Sequence, residues 1–105
     1  MPETIYNKLV RDNIPEIIKG HGQTPVVRVL DDVEYLSALN EKLQEEVVEY
    51  MTDNTLEELC DILEVVYAIA KFKGYSESDI DTARGDKSAR NGRFEKRIFL
   101  EKVVN

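Results

Sequence analysis

The chain has 105 residues, a mass of 12.1 kDa, a formal net charge of −7 and 42% hydrophobic residues. This size and composition predict one small domain over residues 1–105 with a single core. No apolar run approaches the roughly 20 residues that cross a bilayer, and the opening residues do not resemble a signal peptide. We therefore expect a cytoplasmic protein with no membrane partner. The lone cysteine, Cys60, fits a reducing compartment because it has no intramolecular partner for a disulfide.

Acidic side chains are concentrated in the middle of the chain. Residues 29–70 carry twelve acids against one base, Lys42, whereas residues 71–105 carry nine bases against six acids. The acidic middle would repel phosphates, so we expect no nucleic-acid polymer as a partner of that surface. It would attract Mg²⁺ or Mn²⁺, and the cations at both ends of the chain could help to hold a metal–polyphosphate complex. The alternative is a solvent-exposed acidic face that keeps the protein soluble.

The first third of the chain predicts a short helix and a short strand. Residues 7–19 have a helical pattern that is broken or restarted near Pro15, because proline suits the first turn of a helix. Gly20 and Gly22 then end the helix. Residues 25–30, PVVRVL, are rich in β-branched side chains and predict a brief strand or an extended connector.

The central segment predicts an antiparallel αα-hairpin. Asp31 or Asp32 can cap a helix that runs to about Met51, and a polar connection at residues 53–55 leads into a second helix over residues 56–73. So short a connection makes the two helices antiparallel neighbours. The first helix has apolar positions spaced by 3, 4, 4 and 3 residues, which form one stripe: Leu36, Leu39, Leu43, Val47 and Tyr50.

The last third predicts a third helix over residues 77–90, with a capped start at Ser76 and Asp79 and a stop at residues 91–92. The tail, residues 93–104, has a partly alternating apolar pattern. It is interpreted as a strand that pairs with residues 25–30, with a final helix as the alternative. The predicted fold class is mainly all-α, an antiparallel helical bundle around the central hairpin with a possible two-stranded β element.

The second helix of the hairpin carries acids in an apolar setting. Eleven of the fourteen residues from 59 to 72 are apolar, so this helix should be buried between its hairpin partner and other helices or a second subunit. Cys60 is expected to be a small core residue. A buried carboxylate costs several kcal/mol unless it is paired or binds a metal. Asp61 is therefore a candidate metal ligand, with Glu58 one turn before it.

The first helix of the hairpin offers a second acidic pair. Glu46 and Glu49 are three residues apart and share a face, and Glu46 lies about 60° from the apolar stripe. Across a short hairpin they can converge with Glu58 and Asp61, and such crowding requires a hard divalent cation. Glu45 lies nearly opposite the stripe and should be solvated.

An ordinary solvent-exposed stripe is the alternative interpretation for the second helix. Glu57, Asp61, Glu64 and Lys71 fall within one sector of its helical wheel.

The two acidic pairs, within KLQEEVVEY and EELCDILEVVYA, resemble the metal-binding signature of the all-α nucleoside triphosphate pyrophosphohydrolases. That superfamily includes the MazG-like proteins, the dimeric dUTPase and dCTPase relatives, and phosphoribosyl-ATP pyrophosphohydrolase. YNKLVRDNIPEII (residues 6–18) and GRFEKRIFLEKV (residues 92–103) look like a MazG-like subgroup labelled phosphoribosyl-ATP pyrophosphohydrolase-like. Only eight residues separate Glu49 from Glu58, fewer than in many members, so the ligands should lie near the turn.

The resemblance implies a homodimer or homotetramer that binds Mg²⁺, or alternatively Mn²⁺, through Glu46, Glu49, Glu58 and Asp61. Similar enzymes hydrolyse a nucleotide substrate between the α and β phosphates and release a nucleoside monophosphate and pyrophosphate. The catalytic base that takes a proton from the attacking water would be Glu46 or Glu49.

Two basic pairs are candidate phosphate ligands. Lys87 and Arg90 are three residues apart on the third helix, and Lys8 and Arg11 have the same spacing on the first. The alternative for each pair is an exposed position that balances acidic neighbours. Two other functions stay open: phosphoribosyl-ATP hydrolysis in histidine synthesis, and a non-catalytic nucleotide-sensing or dimerisation module.

Overall fold

The computed structural model describes residues 2–105, which form four helices and no strand. The helices are α1 (Ile14–Gly20), α2 (Asp32–Asp53), α3 (Leu56–Phe72) and α4 (Glu77–Asn91). The fold class is therefore all-α, as predicted for the main part of the chain. Across the described part of the chain, every helix is too short or too polar to cross a membrane.

Local capping signals fix the helix boundaries. The Asp31 side chain accepts a hydrogen bond from the Glu34 N–H at 2.9 Å and starts α2. Ser76 and Asp79 form a reciprocal capping box, with bonds of 2.9 and 3.0 Å between each side chain and the other residue's N–H. Each such cap satisfies backbone donors that the first helical turn leaves free. The predicted starts of α2 and α4 are confirmed.

The connection between α2 and α3 is only two residues long. Asn54 takes a left-handed conformation (φ 55°), and its N–H donates to the Tyr50 carbonyl at 2.7 Å. Thr55 then caps α3 by accepting from the Glu58 N–H at 3.3 Å. At the open end of the pair, the rings of Tyr35 and Phe72 meet edge to face at 5.6 Å. α2 and α3 therefore form the predicted antiparallel hairpin.

The hairpin holds the small core. Leu39 on α2 is 2% exposed, and Val65 and Ala70 on α3 are buried. α3 also contacts α4, whereas α1 packs against no other helix of the described chain. The radius of gyration is 18.5 Å, compared with about 13 Å for a compact chain of this length. A closed helical bundle is thus not confirmed for a single copy.

One side of α3 is left open, contrary to the expectation that this apolar helix is buried all round. Leu56, Leu59 and Leu63, which we call the outer stripe, are exposed, and so is Cys60. Their spacing of three and four residues places the leucines on one face, away from the side that packs on α2. The predicted core position of Cys60 is wrong because this face has no neighbour in a single copy.

The predicted first helix is wrong in its amino-terminal half. Helix α1 begins only at Ile14, and Pro15 lies in its first turn. A longer helix would require Pro15 to donate a backbone N–H to the Arg11 carbonyl, and proline has none. The preceding segment is irregular, with Asn7 at φ 46°. Lys8 and Arg11 therefore lie on an irregular segment and not on a helix.

The predicted strand pair is not found among residues 2–105. Residues 25–30 and the tail from residue 93 lack regular structure, and most of their apolar side chains are exposed. The tail alternation is interrupted at Arg97, which has φ 59° and whose N–H donates to the Phe94 carbonyl at 3.2 Å. Two strands alone form a marginal structure in water unless other elements cover them. No such cover is provided by the helices of the same copy.

Truncating Leu39 to alanine should destabilise the protein by about 2–4 kcal/mol, because it removes the most completely buried apolar side chain of the hairpin. Urea unfolding at fixed protein concentration, followed by circular dichroism, measures the change. Val33→Ala on the same helix is the matched control, since Val33 is 83% exposed. It should change stability by less than about 0.5 kcal/mol. Equal effects of the two substitutions would contradict the assignment of the core.

Candidate metal centre

Three carboxylates from the two hairpin helices meet close to the turn. Glu46 lies on α2 and Glu58 and Asp61 lie on α3, and one oxygen of each is within 4.8 Å of the others. We call these three residues the acidic cluster. With a rise of about 1.5 Å per residue, Glu46 lies about 12 Å and Asp61 about 9 Å along its helix from the turn at residues 54–55. The two-residue connection thus brings them to the same level.

Glu46 is buried, but only one of its two carboxylate oxygens has a partner in the described chain. Glu46 is 5% exposed, and its Oε1 forms an ion pair with Lys42 Nζ at 3.2 Å. Its Oε2 is buried and has no hydrogen-bond partner within residues 2–105, and the same holds for Glu58 Oε2. A buried charged oxygen that lacks a partner costs more than a lost neutral hydrogen bond. Two such oxygens on facing helices form a site that lacks positive charge.

The surroundings favour protonation of two cluster members. Burial raises the pKa of Glu46 above its ordinary value; Lys42 opposes this shift, and the charges of Glu49 and Asp61 add to it. Burial also raises the pKa of Glu58, and the carboxylates of Glu49, Asp53 and Asp61 act in the same direction. The cluster therefore resists full ionisation as long as no further cation enters it.

Two cations from the amino-terminal segment contact the hairpin acids. Arg11 donates to Asp61 at 2.7 Å, and Lys8 donates to Glu45 at 2.9 Å. Lys42 on α2 also donates to Glu45, at 3.1 Å. Burial alone would raise the pKa of Glu45, but the hydrogen bonds from Lys8 and Lys42 outweigh it and lower that pKa. The bond to Glu45 in turn raises the pKa of Lys8.

The predicted ligands are not all equally placed. The structure brings together Glu46, Glu58 and Asp61, whereas Glu49 lies outside the cluster. Glu49 is nevertheless close enough for its charge to raise the pKa of Glu46 and Glu58. The alternative interpretation, an ordinary solvent-exposed stripe, fits Glu57 and Glu64, which are exposed. It does not fit Asp61, which is half-buried.

The predicted phosphate ligands are divided between two places. Lys8 and Arg11 lie on the hairpin acids. Lys87 lines a hollow of about 450 Å³ near the end of α4, and Arg90 lies on the same helix. In the described chain, neither Lys87 nor Arg90 forms an ion pair with the acidic cluster. The structure of one copy therefore gathers one basic pair at the site and leaves the other on α4.

Lys42 and Glu45 are the participants that the sequence pattern did not identify. Glu45 was expected to be solvated but is half-buried between two lysines. A detectable signal was present, because Lys42 stands three residues before Glu45 and four before Glu46, the spacings of helical ion pairs. No pattern in the sequence indicated the bond from Lys8, because Lys8 lies 37 positions before Glu45 in the chain.

The donor set fits a hard divalent cation. Mg²⁺ binds oxygens at about 2.0–2.1 Å, so neighbouring octahedral ligands lie about 3 Å apart and opposite ligands about 4.2 Å apart. The three cluster oxygens lie within 4.8 Å of one another, so they need to close by up to about 2 Å. The Glu45–Lys8 pair is neutral. When all four predicted ligands are ionised they carry a charge of −4, and Lys42 and Arg11 contribute +2. One divalent ion would neutralise the remaining charge of −2. The partnerless oxygens of Glu46 and Glu58 would gain a ligand.

Comparisons with known proteins identify one partial relative and no family. No family model matches the chain, and no solved structure matches it significantly. A protein of Mycolicibacterium smegmatis, described as uncharacterized, is 54% identical over 48 residues. The match covers 46% of this chain and 49% of that protein, so it spans about half the length of the curated relative. That description assigns no activity to either protein.

Glu46→Gln and Glu58→Gln should each stabilise the metal-free protein at neutral pH. Because the pKa of each glutamate is raised on folding, the folded protein holds the proton more tightly than the unfolded chain. Ionisation therefore destabilises the fold above the raised pKa, and acidification through it relieves the cost. The advantage of each glutamine variant over wild type should shrink as the pH falls towards 4.5. Urea titrations in EDTA at several pH values measure the difference in the free energy of unfolding between each variant and wild type.

Glu34→Gln is the matched control on α2, because Arg28 lowers the pKa of Glu34. A carboxylate whose pKa is lowered on folding stabilises the folded state at pH values above its unfolded pKa. Glu34→Gln should therefore not stabilise the protein at neutral pH. Loss of stability in both cluster variants at neutral pH in EDTA would contradict the described electrostatics.

Proposed function

We propose that the protein is a Mg²⁺-dependent nucleotide pyrophosphohydrolase that cleaves between the α and β phosphates, with Mn²⁺ as an alternative ion. The main support is the pair of buried, partnerless oxygens on Glu46 and Glu58 beside Asp61. Their arrangement is costly in a metal-free fold and becomes favourable when a divalent cation is shared among them. The resemblance of the two acidic pairs to the pyrophosphohydrolase signature supplies the reaction class.

The hairpin residues have separate tasks in this proposal. Glu46, Glu58 and Asp61 would hold the ion. Glu49 would either complete the ligand set or act as the base that takes the proton from the attacking water. Glu46 is the other candidate for that base. The ion supplies charge neutralisation on the phosphates and lowers the pKa of water. The buried position of Glu46 keeps its carboxylate fixed relative to α3, which orients the ligand set before substrate arrives.

The basic residues neutralise phosphate charge. Arg11 and Lys8 are exposed on their outer sides while they contact Asp61 and Glu45. Arg11 would be free to bind phosphate if Asp61 held a divalent ion instead, and its planar set of donors matches phosphate oxygens. Lys87 and Arg90 are further proposed phosphate ligands. They reach the site only by movement of α4 or from a second copy in the proposed homodimer or homotetramer.

A panel of nucleoside triphosphates and phosphoribosyl-ATP with Mg²⁺ tests the activity, with monophosphate and pyrophosphate as the scored products. Asp61→Asn and Glu49→Gln should each reduce kcat/KM at least about 100-fold, because each removes a charged group proposed to act in the transition state. Glu57→Gln is the matched control on α3, since Glu57 is exposed and outside the cluster. It should retain wild-type activity.

Preference for phosphoribosyl-ATP in that panel would assign the protein to histidine synthesis. Absence of turnover on every substrate, with folding and metal binding intact, would leave the non-catalytic sensing or dimerisation module. Equal turnover by wild type and Asp61→Asn would overturn the proposed site.

Arg11→Gln should strengthen Mg²⁺ binding about 3–10-fold while it lowers kcat/KM. The substitution removes a cation that competes for Asp61, and one exposed charge interaction is worth about 1 kcal/mol. Isothermal titration with MgCl₂ measures the affinity, and the substrate assay measures the second effect. Lys19→Gln, which removes an exposed ion pair with Glu16 on α1, is the control and should alter neither value. Weaker Mg²⁺ binding in Arg11→Gln would contradict the competition.

A further inference from the structure

A single copy leaves far more surface open than a folded chain of its mass should. The accessible surface is 9732 Å², whereas a compact 12.1 kDa protein exposes about 6,000 Å². The excess is several times the roughly 800 Å² that each partner buries in a stable complex. This chain therefore has enough uncovered surface for an extensive interface of the obligate kind.

Two groups of exposed apolar side chains can cover each other, and further ones lie in residues 5–29 and on α2. The first is the outer stripe of α3, where Leu56 is 76% exposed and Leu63 is 51% exposed. The second is the tail from residue 93 to residue 105, which we call the C-terminal arm. All its large apolar side chains are exposed: Phe94, Ile98, Phe99, Leu100, Val103 and Val104. Neither surface is covered by the rest of the described chain.

We propose that the C-terminal arm of one copy packs on the outer stripe of α3 in a second copy, and that the exchange is reciprocal. A two-fold pair buries both arms and both stripes at once, because each copy offers the same arm and the same stripe. The arm does not lie on its own helices, and Phe99 remains 86% exposed. Apolar burial of this extent favours association by about 25 cal/mol per Å² before entropic costs.

The charges of the two surfaces are complementary. The arm carries four basic residues against two acidic ones: Arg93, Lys96, Arg97 and Lys102 against Glu95 and Glu101. The outer stripe lies on a helix with exposed Glu57 and Glu64, within the acidic middle of the chain. Opposite charge at the edge of an apolar contact directs the partners to each other and disfavours stripe-to-stripe pairing, which would bring acids together.

The arm is also long enough. Beyond the turn at residues 94–97, an extended segment spans about 3.3 Å per residue, so residues 98–104 reach about 20 Å. The outer stripe from Leu56 to Leu63 is about 10 Å long at a rise of 1.5 Å per residue. The arm can therefore cross from its own α4 and still cover the stripe.

Disulfide trapping with the native cysteine tests this contact in the full-length protein. Cys60 is exposed and borders the outer stripe. Ile98→Cys and Phe99→Cys are introduced singly, because successive residues of an extended segment point to opposite sides. We expect at least one variant to form, on mild oxidation, a covalent dimer with a mapped link between Cys60 and the new cysteine. Val33→Cys, at the open end of α2, is the control and should form such a dimer at least tenfold less.

Three results would overturn the proposal. An intramolecular link in a monomer would show that the arm folds back on its own copy. A Cys60–Cys60 dimer of the wild-type protein would show that stripe faces stripe. Trapping no greater than that of Val33→Cys would show that the arm does not reach the stripe. These outcomes are independent of substrate turnover, so they do not depend on the proposed hydrolase activity.

Discussion

The two-residue turn at Asn54 and Thr55 is the constraint on which the rest of the structure depends. It fixes α2 and α3 as antiparallel neighbours and therefore sets which residues lie at the same level. Glu46 is carried into the packed side of the hairpin, opposite Asp61. A longer loop would allow the helices to slide and the carboxylates to reach water. Because the turn is tight and capped on both sides, the carboxylates stay crowded at an energetic cost that the apolar contacts farther along the hairpin must offset.

The cations around the cluster reduce this cost without removing it. Lys42 reaches one oxygen of Glu46, and Arg11 reaches one oxygen of Asp61. Both come from outside the packed centre, so the second oxygen of Glu46 and one of Glu58 remain buried and unpaired. A fully apolar replacement would be more stable than a half-compensated polar group. These unpaired oxygens are the atoms that the proposed divalent ion would bind.

Local signals predicted the elements that depend on neighbouring residues in the chain. The caps at Asp31 and Ser76 and the close connection of α2 to α3 follow from residues three or four positions apart. The level of the carboxylates followed from helical rise and turn length, so three of the four predicted ligands lie together. Pro15 shortens the first helix for a local reason, and the other failures concern cover that comes from distant parts of the chain or from another copy. The strands at residues 25–30 and in the arm lack such cover, and the half-burial of Glu45 depends on Lys8.

Helix α3 has groups on each of its two sides that lack an interaction partner in a single copy of the described chain. Its inner side presents Glu58, which has a buried oxygen without a partner in the described chain, and its outer stripe presents leucines, which lack apolar cover. A cation cannot satisfy the outer side, and a second copy that covers the stripe leaves the charge of the inner side unchanged. The two sides are joined only through the rigid helix, so ion binding and association can be perturbed separately. The proposed ion and the proposed second copy would together explain a helix that is apolar nearly all round and yet carries two carboxylates of the acidic cluster.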